Sequence, residues 1–510
     1  MSATSEAQSV VGEAAQPRRL NWWRIGDGVV LLTYATVVLW TLRYHEKWAD
    51  EAQAWLIARD LDLKTIWFHE LRYEGSPGLW HTILWVAQHV FHASYGALGY
   101  IGATFAIAGA ALLLFCAPFP RYLRWPLAFT YVMAYQYAVI ARPYTMLPLL
   151  AFLAAIFFKD VRRPERITLV LVVLCLLTMH GIVLAACLGA AFLLETLKEW
   201  RTFEGSLRRS YFICGATMLC VVLFLFVILK PTSDVEEIAL RNQVAQAPAW
   251  VQAQFPTLGT KLTAVISGAF LDWFVPSIIL WVLLATWTLW RRRSIFFTLS
   301  TGLLVAFYGL VHGAAHHHGT VFVVAITGMW IAWPDGGHRV ALRRIDRQEL
   351  LGVEILLLIL IGMNVWDSAV VIKREYLYPY CGADDAAEYL RSVGADQGPM
   401  FGLLFGVVAI QAQFDHNVFV NNPTAYFHHG LPLPTTTLDV DALYRVKPQY
   451  VVAYSNDPKQ MLATGVSELT TRGYELAHFS DGYYLYKRSV FEREVYFIFK
   501  RLPEQVGPSE

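Results

Sequence analysis

Long apolar segments occupy the first three quarters of this 510-residue chain, and they constrain its fold more than any other feature. Charged residues make up only 16% of the sequence, whereas a soluble protein has roughly 25%. A helix of about 20 apolar residues crosses a bilayer, so the sequence predicts a polytopic α-helical membrane protein. The segments lie near 29–43, 78–92, 97–117, 125–141, 143–158, 166–179, 182–197, 211–229, 270–290, 295–312, 318–333 and 350–372.

Basic residues predict which ends of the segments face the cytoplasm, because loops rich in Lys and Arg are retained there. From residue 143 onward, basic clusters alternate with loops poor in Lys and Arg, which places the chain beyond 372 on the outer side. Crossing by every segment would leave that chain inside. We therefore expect about 11 to 13 crossings, with either 78–92 or 97–117 not a simple full crossing, or 97–117 broken in its Gly-Ala-rich middle. The clusters are Arg162, Arg163 and Arg166; Lys198, Arg201, Arg208 and Arg209; Arg291 to Arg293; and Arg339, Arg343, Arg344 and Arg347.

Three parts are predicted along the chain. The polar residues 1–28 lack a cleavable apolar core and form a cytoplasmic tail. Residues 29–372 form the membrane domain, whose first outer loop, 44–77, has apolar residues near every 3.6 positions, as in a helix lying in the interface plane. Residues 373–510 form a soluble outer α/β domain, with a helix near Asp384 and strands at "NVFV", "QYVVAY", "YELAHF" and "YYLYK".

Charge and cysteine content exclude several classes of function. The net charge of +1 gives no indication of nucleic-acid binding. The six cysteines form neither a disulfide framework nor a CxxC metal pair. Only Cys381 has polar sequence neighbours, so we expect a membrane-impermeant thiol reagent to label it from the outer side.

The stretch "WADEAQAWLIARD" places two adjacent carboxylates, Asp50 and Glu51, directly after the first apolar segment. These acids have two possible explanations. They could be solvated charges that pair with Lys47, Arg59 or Lys64. Alternatively, one of them is a general base beneath a membrane-embedded substrate, where desolvation raises its pKa toward the working range.

The stretch "RYEGSPGLWH" closes the same loop. Pro77 precedes an apolar segment, where it can start a helix without losing a backbone hydrogen bond. Structurally the stretch is the start of a helix. Functionally, Glu74 and His81 would form a polar pair beside the acids at the same membrane face.

Arg142 lies between two short apolar segments in "YAVIARPYTMLP". An arginine in such surroundings costs roughly 2.5–3.5 kcal/mol on insertion scales, so it requires an anionic partner or reaches the interface. A phosphate is one such partner, because the guanidinium binds it with two parallel hydrogen bonds. A structural ion pair is the alternative.

Histidines follow at predicted outer ends of segments. His180 lies at a break between two predicted short helices, and His312, His316, His317 and His318 occur in "YGLVHGAAHHHGT". Adjacent side chains on a regular helix cannot all face one ion, so a metal site is not favoured. A polar lining or a phosphate contact is the better interpretation for one or two of them.

Taken in order, these features resemble the GT-C superfamily of membrane glycosyltransferases, in particular its protein O-mannosyltransferase and aminoarabinose-transferase-like branch. The family's acidic pair is matched by Asp50 and Glu51, and its proline-containing helix start by "EGSPGLW". Its arginine turn is matched by Arg142-Pro143-Tyr144, and a later histidine by His180. Two departures are Gly78 in place of a second proline, and the absence of a carboxylate after the arginine turn in "RPYTMLP".

The resemblance implies an enzyme of the cell envelope, a multi-pass protein of the plasma (inner) membrane. It would transfer a hexosyl or pentosyl group from a polyprenyl-phosphate donor to a protein, lipid or glycan acceptor on the outer face. Asp50, more than its neighbour Glu51, would be the general base of an inverting reaction. No cofactor is expected, and a divalent metal is not favoured. Arg142, His180 and His318 would bind the donor phosphate, and Glu74, His81 and Tyr144 the substrate.

Two other functions remain open on the sequence alone. A transporter or flippase of a lipid-linked or small polar solute would explain the helices and the arginine equally well. It would not require the outer acid pair, the long outer loop and the outer domain together. A catalytically inactive scaffold whose outer domain binds a polymer is the third possibility.

Overall fold

The computed structural model describes most of the chain. His312 and several of the basic residues used to assign the sides, including Arg291 to Arg293, lie outside the described residues. The described ranges are 22–230, 258–290, 295–310, 315–334, 344–422, 424–428, 439–457 and 466–503.

Helices dominate the described chain up to Leu377, which we call the helical part; the described residues from Tyr378 form the C-terminal part. The first helix begins at Trp22, ahead of the first apolar segment. The helices are α1 (Trp22–Thr41), α2 (Ala49–Asp60), α3 (Leu63–Thr65), α4 (Leu71–Glu74), α5 (Leu79–His89), α6 (Leu98–Cys116), α7 (Arg121–Ala128), α8 (Leu147–Phe157), α9 (Pro164–Leu177), α10 (Met179–Glu199), α11 (Gly205–Ile228), α12 (Leu258–Ala269), α13 (Phe274–Trp290), α14 (Phe296–Leu310), α15 (His318–Ala332), α16 (Arg344–Leu377), α17 (Ala383–Ser392), α18 (Val407–Gln411), α19 (Val440–Val446) and α20 (Val466–Thr470).

Among the described residues, 4 helices are long and apolar enough to cross a membrane, or up to 5 if α12 and α13 form one broken span. Those two helices meet at an angle of 69°. Several further apolar helices are shorter, so the predicted 11 to 13 crossings stay a prediction. The 4 long spans are Tyr95–Cys116, Met179–Thr202, Gly205–Ile228 and Arg347–Leu377, and the shorter helices are Pro143–Phe157, Phe296–Leu310 and His318–Ala332.

The region between α5 and Arg142 differs in detail from the predicted segments. Helix α5 has 11 residues, about 16 Å of helix, which is shorter than the hydrocarbon core. Helix α6 runs unbroken through its Gly-Ala-rich middle, where an added Cβ at Gly109 would lie 3.0 Å from the backbone of Leu149. No continuous helix covers 125–141, because α7 contains Pro126 and ends at Ala128, followed by a π-helical turn.

Helix α2 is buried on all sides, contrary to the predicted helix in the interface plane. Every residue from Glu51 to Ala58 is buried. The helix packs against α5 on one side and against α18 of the C-terminal part on another. Two side chains of α2 reach the C-terminal part directly. Gln53 accepts a hydrogen bond of 3.1 Å from the backbone of Phe427, and Arg59 donates one of 2.6 Å to the carbonyl of Phe414.

The C-terminal part contains a four-stranded sheet with strand order β1-β2-β4-β3. Strands β1 and β2 are parallel, and the other pairs are antiparallel. The predicted helix near Asp384 is present as α17, and "QYVVAY" forms most of β2. "YELAHF" and the first four residues of "YYLYK" belong to one long strand, whereas "NVFV" makes a single isolated bridge at Phe419. The strands are β1 (Met400–Leu403), β2 (Tyr450–Ser455), β3 (Tyr474–Tyr486) and β4 (Ser489–Arg501).

Cys381 does not have the exposure that its polar sequence neighbours predict. Its side chain is fully buried, and its Sγ lies 3.3 Å from the hydroxyl of Tyr496 on β4. Burial raises the pKa of this thiol well above its usual range. A thiol that is both buried and protonated is a poor target for an aqueous reagent, so the expectation that Cys381 would be labelled is wrong.

Candidate active site

Asp50 and Arg142 form an ion pair at one face of α2. Asp50 lies in the first turn of the helix, and its Oδ2 is 2.7 Å from Nη1 of Arg142. Arg142 has an extended backbone just before the short helical turn Pro143–Met146. The two side chains are 18% and 19% exposed, so the pair is largely shielded but keeps some exposed surface.

The guanidinium of Arg142 lies between two aromatic rings. Its Cζ is 5.7 Å from the ring centre of Trp48 and 5.5 Å from that of Tyr144. Burial lowers the pKa of Arg142, but the surrounding groups, with the charge of Asp50 foremost, together raise it above its usual value. Among the described residues Nη1 has no hydrogen-bond partner of good geometry, although Asp50 is close to it. One donor of this guanidinium is therefore not fully satisfied within the described protein.

Glu51 points away from this pair and is fully buried. Its Oε1 accepts a hydrogen bond of 2.6 Å from the backbone of Ala141, and its Oε2 accepts bonds from Trp48 N (3.3 Å) and His45 Nε2 (3.0 Å). Both oxygens are thus occupied by the protein. The predicted role of Glu51 as a second catalytic acid does not fit this placement, since the side chain fixes the two loops that carry Trp48 and Arg142.

His45 extends these contacts to the last long helix. Its Nδ1 donates to Glu375 at 2.8 Å, and Glu375 also accepts a hydrogen bond from the hydroxyl of Tyr135. Burial disfavours the imidazolium, but the charges of Glu51 and Glu375 raise the pKa of His45 to about 10. The charged ring therefore donates from both nitrogens and connects α16 to the loop before Asp50.

His180 belongs to an aromatic group beside Tyr144. Its ring centre lies 5.3 Å from that of Tyr144, 5.1 Å from Tyr308 and 4.7 Å from His317. The break before it is at Thr178, which caps α10 by accepting a hydrogen bond from Gly181. The helix that follows is long rather than short, with 21 residues.

Gly181 allows α10 to begin in close contact with the end of α9, next to His180. A Cβ at this position would lie 2.1 Å from the carbonyl oxygen of Leu174 in α9. A side chain there would push α9 and α10 apart, and with them the ring of His180.

His318 does not join this group. Its Nδ1 lies 3.3 Å from the hydroxyl of Tyr486. The preceding histidines, His316 and His317, do belong to the aromatic group. The ring centre of His316 is 6.1 Å from that of Trp48, and the ring centre of His317 is 5.7 Å from that of Tyr144. The predicted phosphate contact of His318 is therefore not supported by its placement, and His316 and His317 occupy the position expected for it.

Glu74 and His81 are placed differently relative to α2. Glu74 accepts a hydrogen bond of 3.0 Å from Gln53, one turn from Asp50. His81 is buried on α5, and neither of its ring nitrogens has a hydrogen-bond partner among the described residues. The structure thus links Glu74 to α2 but places no contact between His81 and the Asp50–Arg142 pair.

No metal centre is found in the part of the chain that the structure describes. No three His, Cys, Asp or Glu side chains there converge as metal ligands do. The chemistry available from the described side chains is a carboxylate beside a guanidinium, flanked by aromatic and imidazole rings. Such a group can take a proton from one ligand while it neutralises an oxyanion on another.

Sequence reasoning missed Trp48, His45 and Tyr484. Trp48 lies two residues before Asp50 in the sequence, and this proximity could have identified it as a neighbour of the site. Tyr484, whose ring lies 5.1 Å from that of Trp48, comes from the far end of the chain and offered none.

The fold of this chain was compared with those of known proteins, and solved structures of one protein share it. No protein-family model matches the chain, and no curated protein sequence matches it. A solved structure of ArnT from Cupriavidus metallidurans bound to undecaprenyl phosphate is 14% identical, covers 94% of this chain and 98% of its own, and superposes with a TM-score of 0.52. ArnT in the apo state is 15% identical, with coverages of 93% and 98% and a TM-score of 0.47. The chain therefore shares its fold with ArnT over almost its whole length.

Proposed function

We propose that this chain is a membrane glycosyltransferase that moves a hexosyl or pentosyl group from a polyprenyl-phosphate donor to an acceptor at the outer face of the plasma membrane. The observation that carries the proposal is the pairing of Asp50 with Arg142, whose buried Nη1 lacks a hydrogen-bond partner of good geometry among the described residues. The ArnT fold supports it, since an ArnT structure holds undecaprenyl phosphate.

Arg142 is the residue proposed to bind the donor phosphate. The phosphate of a polyprenyl carrier stays at the membrane interface while the chain dissolves in the bilayer. A guanidinium held between Trp48 and Tyr144 presents its planar edge in a fixed direction. His180 and His317 lie beside Tyr144 and add two imidazole rings to the group of side chains around Arg142.

Asp50 is the proposed general base. It takes the proton from the acceptor hydroxyl as the acceptor oxygen attacks the anomeric carbon. The bond from that carbon to the phosphate oxygen breaks on the opposite face, and the electron pair leaves with the phosphate. Arg142 stabilises the charge that grows on this phosphate. Because no covalent enzyme intermediate forms, the configuration at the anomeric carbon inverts.

The test uses the purified chain in nanodiscs with an undecaprenyl-phosphate sugar that is radiolabelled in the sugar. A transferase converts the donor to labelled acceptor product and free undecaprenyl phosphate. A flippase moves the intact donor between leaflets without cleaving it, so the label stays on the lipid. Movement of intact donor without product, across a panel of sugars and a crude envelope acceptor fraction, would contradict the proposal.

A further inference from the structure

The turn between β3 and β4 reaches into the helical part of the molecule. Strand pairing of Tyr486 with Ser489 leaves Lys487 and Arg488 as a two-residue turn. Lys487 is 3% exposed. Its ammonium donates a hydrogen bond of 2.8 Å to the carbonyl of Gly268 on α12 and pairs with Asp272, at the break between α12 and α13. The hairpin therefore touches the bent helix pair.

Arg488 fixes the same turn from its other side. It lies 2.8 Å from Asp272 and 2.8 Å from Asp367, a buried residue of α16. Lys487 also has a positive φ of 50°, which is uncommon for a residue with a side chain. Such a backbone persists only where its surroundings determine it. The four charges thus hold the tip of the hairpin in one position.

This anchoring places Tyr484 against the candidate active site. Tyr484 is almost fully buried, and its ring lies 5.1 Å from that of Trp48, the residue that packs on Arg142. Burial raises the pKa of Tyr484, while the charge of Arg142 lowers it and that of Asp50 raises it. Both members of the ion pair therefore lie within electrostatic range of a side chain from the C-terminal part.

We propose that Tyr484 is a positioning residue for Arg142, and that the anchored β3–β4 turn is what holds it there. The ring of Tyr484 supports Trp48, and Trp48 sets the direction of the guanidinium that would meet a lipid phosphate. The identity of the lipid rests on the proposed function. The C-terminal part is then a component of the phosphate site rather than an accessory domain.

Simple domain docking is the competing explanation of the hairpin. Under that explanation, loss of the Tyr484 ring lowers the thermal stability of the chain but leaves its affinity for a lipid phosphate unchanged. Under our proposal the affinity falls even where the thermal stability is kept. Affinity and stability therefore have to be measured on the same variants.

The first experiment measures binding of undecaprenyl phosphate to the full chain in nanodiscs. We expect Tyr484→Ala to weaken the affinity about three- to tenfold, the range for loss of one aromatic contact. Tyr484→Phe keeps the ring and should bind within about twofold of the unchanged chain. The matched control is Tyr483→Ala, the adjacent residue, whose ring packs on Tyr378 instead. Unchanged affinity in Tyr484→Ala, or an equal loss in Tyr483→Ala, would overturn the proposal.

The second experiment tests whether the anchor acts through Tyr484. Arg488→Gln should weaken lipid affinity in the unchanged background but have no further effect in the Tyr484→Ala background. Arg493→Gln, which removes a pair with Asp481 elsewhere in the hairpin, is the control. Independent, additive losses from Arg488→Gln and Tyr484→Ala would contradict the mechanism. If Arg488→Gln does not fold, the Tyr484 variants decide the question.

These readouts do not depend on sugar transfer. A chain that binds the lipid as expected but transfers no sugar would refute the proposed function and leave the role of Tyr484 standing. A chain that transfers sugar with unchanged lipid affinity in Tyr484→Ala would refute the role of Tyr484 alone. A wild-type chain with no affinity for undecaprenyl phosphate would overturn this inference.

Discussion

Glu51 accepts a hydrogen bond of 2.6 Å from the backbone of Ala141, the residue immediately before Arg142. The neighbouring acid, Asp50, pairs with the side chain of Arg142 itself. The two adjacent carboxylates thus contact different parts of the same turn, one its backbone and the other its arginine side chain. Glu51 fixes the backbone of the turn from a fully buried position, and the partly exposed Asp50 pairs with its guanidinium.

Asp50→Asn should abolish most transfer while leaving the fold intact. The amide keeps the size of the side chain but cannot take a proton from the acceptor. We expect kcat to fall about 10²- to 10⁴-fold, the usual contribution of a general base. Affinity for undecaprenyl phosphate should change little. Single-turnover transfer and lipid binding on the same preparation measure the two effects separately.

Asp60→Asn is the matched control for Asp50→Asn. Asp60 lies at the other end of α2, where its carboxylate pairs with Arg59 near the surface. It should keep the kcat of the unchanged chain. An active Asp50→Asn variant alongside a folded but inactive Glu51→Gln variant would show that the acids are assigned the wrong way round.

Arg142→Lys should weaken binding of the lipid phosphate without abolishing it. Lysine keeps the charge but loses the planar pair of donors. We expect the affinity for undecaprenyl phosphate to fall about tenfold, and further in Arg142→Ala, in line with the loss of charge-assisted hydrogen bonds. Equilibrium binding of labelled lipid in nanodiscs gives both values.

Arg121→Lys controls for the loss of an arginine–aspartate pair in general. Arg121 contacts Asp27 at 3.1 Å, away from α2 and the arginine turn. Its replacement should leave lipid affinity unchanged. If Arg142→Ala also binds the lipid normally, Arg142 does not contact the phosphate.

Much of the candidate site could be predicted because a charge beside an apolar segment needs a partner. That rule identified Arg142 and the acids from the sequence. It could not say which acid faces the arginine, because the direction of each side chain depends on how α2 packs against α5 and the C-terminal part. Consecutive residues on a helix point about 100° apart. For the same reason the sequence predicted His318 near Arg142, whereas its neighbours His316 and His317 are the ones that lie there.

The C-terminal part was harder to predict for a different reason. The end of β3 reaches Trp48 only because β3 pairs with β4 and the turn between them is fixed at Asp272 and Asp367. These contacts join residues far apart in sequence, and no local pattern encodes them. The polar sequence neighbours of Cys381 led to a wrong prediction of exposure for the same reason. Its thiol is buried against strand β4, which is far away in the sequence.

The stability of the fold should depend on pH through His45. Its pKa is about 10 in the fold and about 6.5 in an unfolded chain. The contribution of the charged ring is therefore fully present below pH 6.5 and is lost as the pH rises through 10. We expect the thermal unfolding temperature to fall between pH 7 and pH 10. His45→Gln should flatten this part of the profile.

Two comparisons isolate His45 from other groups. Glu46 also has a raised pKa, but at about 7 its effect is complete near the lower limit of this window. His478→Gln replaces a half-buried histidine on the C-terminal part that pairs with Asp385, and it should leave the profile unchanged. A profile of the same steepness in His45→Gln would show that the pair with Glu51 and Glu375 does not control stability in this range.

The candidate site should lie on the outer side of the membrane. Gln53 on α2 bonds to the backbone of Phe427, so the Asp50–Arg142 pair and the C-terminal part share one compartment. The basic cluster after α8, which includes Arg162, predicts the opposite side for that loop. Ser392 is exposed at the end of α17, and Arg162 is exposed as well, so cysteines at these two positions can report the sides.

Both cysteines are introduced separately into a Cys116→Ser, Cys220→Ser background, because those are the exposed native thiols among the described residues. In intact cells a membrane-impermeant maleimide should label Ser392→Cys, and it should label Arg162→Cys only after permeabilisation. Cys381 should stay unlabelled in both, because it is buried. Labelling of Arg162→Cys in intact cells, with Ser392→Cys protected, would place the candidate site on the cytoplasmic side. Transfer to an acceptor on the outer face would then be impossible at this site.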